Sequence, residues 1–160
     1  MKTPSVLLLV ISLLVAACST VASSSYPLRY KNAEYGFTVS LPNDWYGFST
    51  VTATWKGWDA ADVVTERGPL IILRNPRWAI QAPYQDIPIK VFTIKQWDRM
   101  NQSQGGFSTA AGGVEYEFFR NSEYVFSVHS RFNADDSPKG WREATDMVQH
   151  LIDQHFASRE

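Results

Sequence analysis

The sequence predicts a single α+β domain, and three observations support this prediction. Short segments of alternating apolar and polar residues indicate β-strands. Two of them, residues 114–118 and 124–128, flank the turn-forming pair Asn121 and Ser122 and predict an antiparallel hairpin. Residues 138–156 carry apolar side chains at helical spacing. We therefore expect a long closing helix that covers one face of the sheet.

The first predicted strand organises the rest of the chain. Three apolar residues alternate with polar ones in residues 37–41, which is typical of a half-buried strand. Pro42 has no amide proton for a sheet ladder, so we expect the chain to turn there. Trp45 then returns to the core as a large apolar anchor.

The middle of the chain predicts three further strands and a short helix. The strands are expected at residues 49–55, 69–73 and 89–94. Residues 56–68 are predicted to form a loop because they lack a regular period, and residues 74–88 because they contain three prolines. Trp97 and Met100 lie three residues apart and indicate a short helix over residues 95–102.

The closing helix has a recognisable start and one apolar face. Ser137 is a suitable N-cap, and Pro138 suits the first helical position because its missing amide proton is not needed there. We expect Trp45, Trp55 and Trp141 to lie in the core. The apolar stripe of the helix consists of Trp141, Ala144, Val148, Leu151, Ile152 and His155.

The N-terminus predicts a signal peptide followed by a lipid anchor. Residues 1–17 contain one positive charge, Lys2, followed by an apolar run that is too short to span a bilayer. The run ends in Val-Ala-Ala followed by Cys18, which resembles the bacterial lipoprotein signal, where the cysteine is acylated and becomes the new N-terminus. The alternative is an ordinary secreted protein that is cleaved after Ala17 or Ala22.

The cysteine count favours the lipoprotein interpretation. Cys18 is the only cysteine in the chain, so no intramolecular disulfide is possible, and exported chains rarely keep an unused thiol. Residues 18–25 then form a flexible tether, and residues 26–160 form the domain. We expect a lipid-anchored protein of the cell envelope. In a Gram-negative cell, Ser19 resembles the sorting pattern for the outer membrane, facing the periplasm.

Composition and motifs exclude several functions. The formal charge is −1, and no lysine or arginine run is present, so we expect no nucleic-acid partner. Hydrophobic residues make up 44% of the chain, enough for a core without metal or disulfide support.

His150 and His155 are five residues apart and miss the spacing of paired metal ligands on a helix. Asp135 and Asp136 fit a solvated helix cap better than a calcium site. We expect no cofactor and no metal.

The domain resembles the PsbP-like superfamily, in particular its DcrB-like members and related bacterial lipoproteins. The resemblance lies in the motif Tyr-Gly-Phe to Leu-Pro-x-x-Trp over residues 35–45, and in residues 68–78 and 83–93. It implies an α-β-α sandwich around a mostly antiparallel sheet. Known members act mostly by binding proteins or assisting assemblies. The metal-site residues of the photosynthetic members have no match here, so a photosystem role is not implied.

A proline-rich loop is the predicted partner-binding surface. The expected contact residues are Arg74, Arg77, Trp78, Tyr84 and Asp86, with Trp58 and Trp97 as neighbours. Tryptophans beside loops either close the edge of a sandwich or serve as exposed anchors for a protein or a glycan. An arginine–aspartate pair that only pins the loop is the alternative interpretation of the charged residues.

The leading functional hypothesis is a membrane-anchored, non-catalytic binding or assembly-accessory module with an envelope protein as partner. The competing hypothesis is a small envelope hydrolase or glycan-processing enzyme that uses Asp59, Asp86 or His129. Convergence of these groups in a deep pocket would favour the enzyme. A filled interior with exposed aromatic side chains would favour the binding module.

Overall fold

The computed structural model describes residues 25–102, 106–109, 114–129 and 138–157. The strands are β1 Leu28–Asn32, β2 Phe37–Leu41, β3 Ser49–Trp58, β4 Val64–Arg74, β5 Ile87–Thr93, β6 Glu115–Arg120 and β7 Tyr124–His129. The helices are α1 Ile94–Met100 and α2 Trp141–Ala157, and a 3₁₀ turn, Asn43–Trp45, follows β2. The predicted signal peptide, Cys18, the tether up to residue 24, Asp135, Asp136 and Ser137 lie outside the described residues.

The strands form two antiparallel sheets. The larger has five strands in the order β3-β4-β5-β7-β6, and β1 pairs with β2 in a separate two-stranded sheet. The hairpin of β6 and β7, predicted from the turn at Asn121, is present. Asn121 closes this turn because its side-chain oxygen accepts the backbone N–H groups of Glu123 and Tyr124 at 2.9 and 2.8 Å. The predicted α+β class is confirmed, as a domain with one five-stranded and one two-stranded antiparallel sheet.

The larger core lies between one face of the five-stranded sheet and a layer formed by β1, β2 and α2. Phe37, Val39 and Leu41 are buried there, which confirms the first predicted strand. Trp45 is fully buried, as predicted for an anchor. The sheet and α2 contribute Ile71, Leu73, Ile87, Ile89, Val91, Phe118, Phe126, Val128, Ala144, Met147, Val148, Leu151 and Ile152. Each buried Val, Leu, Ile, Phe or Met side chain contributes about 1.5–3 kcal/mol relative to exposure, so this layer dominates the stability.

A smaller core lies on the opposite face of the same sheet. Trp55, Phe92, Phe107 and Val125 are buried there, and α1 packs over them. Trp55 donates its indole N–H to the carbonyl oxygen of Val91 at 2.8 Å. Its ring is nearly parallel to that of Phe107, with the centroids 6.0 Å apart. The side chains of β5 alternate between the two cores, so the sheet is covered on both faces at this position.

Two predicted boundaries are wrong. Residues 56–68 are not a loop, because β3 continues to Trp58 and β4 begins at Val64, which leaves only a short turn. These residues have little local preference for a strand, but pairing across the hairpin, as between Lys56 and Arg67, holds them in one. The closing helix begins at Trp141 instead of residue 138, because Gly140 has a φ of +80°, outside the helical region.

The apolar stripe of α2 is otherwise as predicted, with two differences. Trp141 is only half-buried, whereas Met147, which the stripe did not include, is fully buried. The short helix α1 begins with a capping box in which Thr93 and Gln96 satisfy each other's backbone N–H groups. Within the part of the chain described above, no helix is long and apolar enough to cross a membrane.

Candidate partner-binding surface

The loop between β4 and β5 is pinned at its base by one carboxylate. Asp86 accepts a hydrogen bond from Arg74 Nε at 3.2 Å and another from the backbone N–H of Asn75 at 2.9 Å. The guanidinium of Arg74 also lies 4.0 Å from the ring centroid of Trp78. The arginine–aspartate pair, which was the alternative to a partner-binding role for these charges, is therefore present. Arg74 and Asp86 hold the loop in shape, and their charges are already used within the domain.

Arg77 connects three segments of the chain. Its guanidinium lies 4.4 Å from the ring centroid of Tyr84 and forms an ion pair with Glu143 in the first turn of α2. A second carboxylate, Asp44 of the 3₁₀ turn, is 3.5 Å away. All three charged side chains are substantially exposed, so each ion pair contributes little stability. Their effect is to fix the position of a guanidinium at the surface.

Tyr84 lies on the backbone of the segment that precedes α2. The backbone N–H of Gln85 donates to the carbonyl oxygen of Lys139 at 2.7 Å. A Cβ atom at Gly140 would lie 1.9 Å from Tyr84 Cε1, so the ring packs where only glycine leaves room. The positive φ of Gly140 also favours glycine. The tyrosine ring is therefore held in place by packing against Gly140 and by contact with Arg77.

Two exposed apolar side chains, Tyr46 and Ile80, lie on segments that Arg77 connects. Tyr46 is 81% exposed and follows the 3₁₀ turn that carries Asp44. Ile80 is 76% exposed and lies in a tight turn closed by backbone hydrogen bonds between Ala79 and Ala82. Neither residue is among those predicted from the sequence, although a single large apolar residue within a turn is a usable signal of a contact surface. We name these two residues, together with Arg77, Trp78 and Tyr84, the loop-end surface.

Trp58 and Trp97 do not lie beside this loop. Arg74 pairs with Ser49 at one end of the β3–β4 hairpin, whereas Trp58 lies at the other end, about 30 Å away along the strand. Trp97 packs edge-on against Phe92, with ring centroids 5.5 Å apart, in the smaller core. The structure thus separates these two tryptophans from the loop with which the sequence grouped them.

Among the groups proposed for catalysis, Asp59 lies at the opposite end of the sheet from Asp86 and His129. Asp59 accepts the backbone N–H groups of Ala61 and Val63 at 2.9 and 3.0 Å and so stabilises its own turn. Asp86 pairs with Arg74, and His129 ends β7. The open cleft beside Asp59, about 380 Å³, has no second carboxylate and no histidine among its described lining residues. In the described ranges, no three His, Cys, Asp or Glu side chains are grouped to hold a metal ion.

One buried ion pair lies on the sheet face that carries the smaller core. Glu115 is 5% exposed and pairs with Lys90, and it also accepts hydrogen bonds from Thr109 and Ser127 at 2.8 Å each. Burial alone would raise the pKa of Glu115, but the charge of Lys90 and these hydrogen bonds outweigh it and lower the pKa below its usual value. Because its hydrogen bonds are satisfied within the domain, the pair serves to fasten residues 106–109 to the sheet.

No protein-family model, curated protein or solved structure matches this chain. The resemblance of residues 35–45, 68–78 and 83–93 to the PsbP-like superfamily therefore stays a prediction. The fold that the structure shows is an α+β domain with a five-stranded antiparallel sheet, a two-stranded sheet and two helices.

Proposed function

We propose that this protein is a membrane-anchored binding or assembly-accessory module of the cell envelope, without catalytic activity, and that it binds an envelope protein through the loop-end surface. One observation carries the proposal. An arginine and two aromatic side chains are held in fixed positions by contacts within the domain, on segments that also carry two highly exposed apolar residues, Tyr46 and Ile80.

The composition of the loop-end surface suits protein recognition. Tryptophan, tyrosine and arginine supply most of the energy at protein interfaces, usually from the centre of the contact. Here Arg77 is already ordered by Glu143 and Asp44, and Tyr84 by Gly140. A partner would therefore not need to order these side chains, which removes about 0.5–1.5 kcal/mol of unfavourable free energy for each one.

The enzyme hypothesis receives less support from the same geometry. Catalysis by a carboxylate and a histidine, or by two carboxylates, requires groups that meet around one substrate atom. Asp59 and Asp86 lie at opposite ends of the β3–β4 hairpin, and each already accepts hydrogen bonds from the chain around it. We therefore favour the binding module.

The membrane anchor and the superfamily are part of this proposal. Acylation of Cys18 would attach the domain through its tether, and two acyl chains suffice for stable anchoring. Membership of the PsbP-like superfamily, with its α-β-α sandwich, is supported by α2 and α1 packing against opposite faces of the larger sheet. We expect Cys18→Ser to move the folded protein from the membrane fraction to the soluble fraction. Intact mass of the mature wild-type protein should show the acyl chains, and their absence would contradict the anchor.

Cross-linking in native membranes tests the binding surface. We expect Tyr46→Ala combined with Ile80→Ala to reduce capture of the partner at least about tenfold, because hot-spot truncations remove more than 1 kcal/mol each. Val63 and Val114 are 56% and 60% exposed, so Val63→Ala with Val114→Ala is a matched control outside the loop-end surface. Thermal midpoints of both double variants should equal that of the wild type. Equal capture by all three proteins would overturn the proposal.

A further inference from the structure

The strand β3 is an open edge of the larger sheet. It pairs with β4 on one side, and among the described residues no strand lies against its other side from Ser49 to Gly57. Among the described segments, one meets this edge, at Trp58, where Ser108 exchanges two backbone hydrogen bonds of 2.8 Å with the tryptophan. Unpaired backbone groups along an edge are a template for pairing with a further strand.

The opposite edge of the sheet, β6, is protected against such pairing. Its register with β7 shifts between Glu117 and Phe119, which disrupts the regular edge. Glu117 and Arg120 form an ion pair on the strand, and α2 packs against it. Irregular register, charges and a covering helix are the devices by which natural sheets prevent association through their edges.

In the part of the chain that the structure describes, the exposed edge of β3 has none of these devices over residues 49–55. This segment contains no charged residue, proline or glycine, and its pairing with β4 is regular there. Lys56 is the first charge along the strand. One chain therefore protects one edge of the sheet and leaves the other able to accept a strand.

The backbone of β3 points outward at alternate residues. Both backbone groups of Trp58 bond to Ser108, so they point away from β4. In an antiparallel ladder these directions alternate, so Thr54, Thr52 and Thr50 also present their N–H and C=O groups to the outer side. These threonines are exposed.

We propose that a second copy of this chain pairs with this edge, β3 against β3, antiparallel about a two-fold axis at Thr52. Thr52 then lies opposite its own counterpart, and Thr50 opposite Thr54. Val51 lies opposite Ala53 on the other face. The pairing places threonine beside threonine and apolar beside apolar residues, each a favourable cross-strand combination. It also joins the two five-stranded sheets into one.

The charge and surface of β3 favour a second copy as the occupant. In this register the two Lys56 residues are about 27 Å apart along the strand, beyond effective repulsion. The formal charge of −1 for the chain gives no long-range repulsion between copies. Val51, Leu70 and Ile72 form a half-buried apolar row beside this edge, and the row would continue across the partner's sheet.

Single cysteines test the register. In a Cys18→Ser background, Thr52→Cys places two thiols in one cross-strand pair, where Cα atoms are about 5.5 Å apart and a disulfide can form. Thr54→Cys is the matched control, because its two copies would be about 13 Å apart along the strand. We expect a covalent dimer on mild oxidation with the first variant and not with the second. Equal cross-linking at both positions, or none at residue 52, would overturn the register.

Charge substitution tests the association itself. Light scattering should show a dimer for the purified wild-type protein and a monomer for Thr52→Lys or Thr52→Glu alone. An equal mixture of these two variants should form a dimer again, because lysine then lies opposite glutamate. Thr65→Lys, an exposed threonine on β4, is the control and should stay dimeric. A monomeric wild-type protein, including one whose edge binds only an extended peptide, would overturn the proposal. Thr52→Lys should still capture the envelope partner, which separates this surface from the loop-end surface.

Discussion

The two ends of the five-stranded sheet are built by different physical means. At the end where β4 leaves the sheet, charges and cation–π contacts position Arg74 and Arg77 around a loop. At the other end, named here the hairpin end, aromatic rings interlock: Trp55, Phe92, Phe107 and Trp97. The first arrangement leaves side chains exposed and ordered, whereas the second removes them from solvent. Tryptophans near loops therefore have opposite roles at the two ends of one sheet.

The largest effect should follow from removing a ring at the hairpin end. We expect Trp55→Ala to lower the free energy of unfolding by about 3–5 kcal/mol, because it empties a packed site and leaves the Val91 carbonyl without its donor. Trp58, three residues along the same strand and 36% exposed, is the matched comparison. Its alanine variant should lose clearly less in denaturant unfolding. Equal losses would mean that the hairpin end is not a packed core.

Acid should loosen residues 106–109 from the sheet, because the pair of Glu115 and Lys90 holds them there. The pKa of Glu115 is lowered in the folded state by Lys90 and by hydrogen bonds that outweigh its burial. Its stabilising contribution is therefore complete above the unfolded pKa, about 4.3, and is lost as the pH falls through the lower folded value. Hydrogen exchange should show the backbone of residues 106–109 opening first, since Thr109 binds this pair.

Glu115→Gln tests the same pair at neutral pH. The substitution leaves the charge of Lys90 buried and unpaired, so we expect a loss of about 3 kcal/mol. The difference in stability from the wild type should shrink as the pH falls below the unfolded pKa and through the lower folded pKa of Glu115, because the wild-type carboxylate then becomes protonated. A difference that does not change with pH would show that Glu115 is not ionised in the folded protein.

The sequence predicted the fold better than the surface, and the reason is physical. Alternation of apolar residues reveals a buried strand face such as Phe37 to Leu41, because burial depends on local periodicity. The grouping of Trp58 with Trp78 failed because their separation depends on the register of β3 with β4, a non-local property. The ion pair of Arg77 with Glu143 spans 66 residues and has no local signal.

A glycine pair can show how firmly the loop end is held. Gly140 and Gly47 both have positive φ, +80° and +87°, so alanine at either position should lose about 1 kcal/mol through backbone strain. At Gly140 the new methyl group would also displace the ring of Tyr84, whereas at Gly47 the nearest atom is 3.9 Å away. We expect Gly140→Ala to lower the unfolding free energy by about 2 kcal/mol in total, and Gly47→Ala by about half as much. Similar values would mean that Tyr84 is not held by this segment.

The smallest effect on stability should belong to Arg77, although its effect on binding should be large. Its partners Asp44 and Glu143 are exposed, so Arg77→Ala should change the unfolding free energy by less than about 1 kcal/mol. The same change removes the guanidinium from the loop-end surface, and capture of the envelope partner should fall sharply. Arg77→Lys keeps the charge but loses the planar contact with Tyr84, so capture should recover only in part.

Calorimetry and the membrane pull-down, carried out on the same Arg77 variants, distinguish the two outcomes. Loss of capture with an unchanged thermal midpoint places Arg77 in the interface. A large fall in the midpoint would instead make Arg77 a structural link between the 3₁₀ turn, the loop and α2, so that the loop end, like the hairpin end, would serve stability. The contrast between the two ends therefore depends on a single exposed guanidinium, which the surrounding carboxylates position without burying.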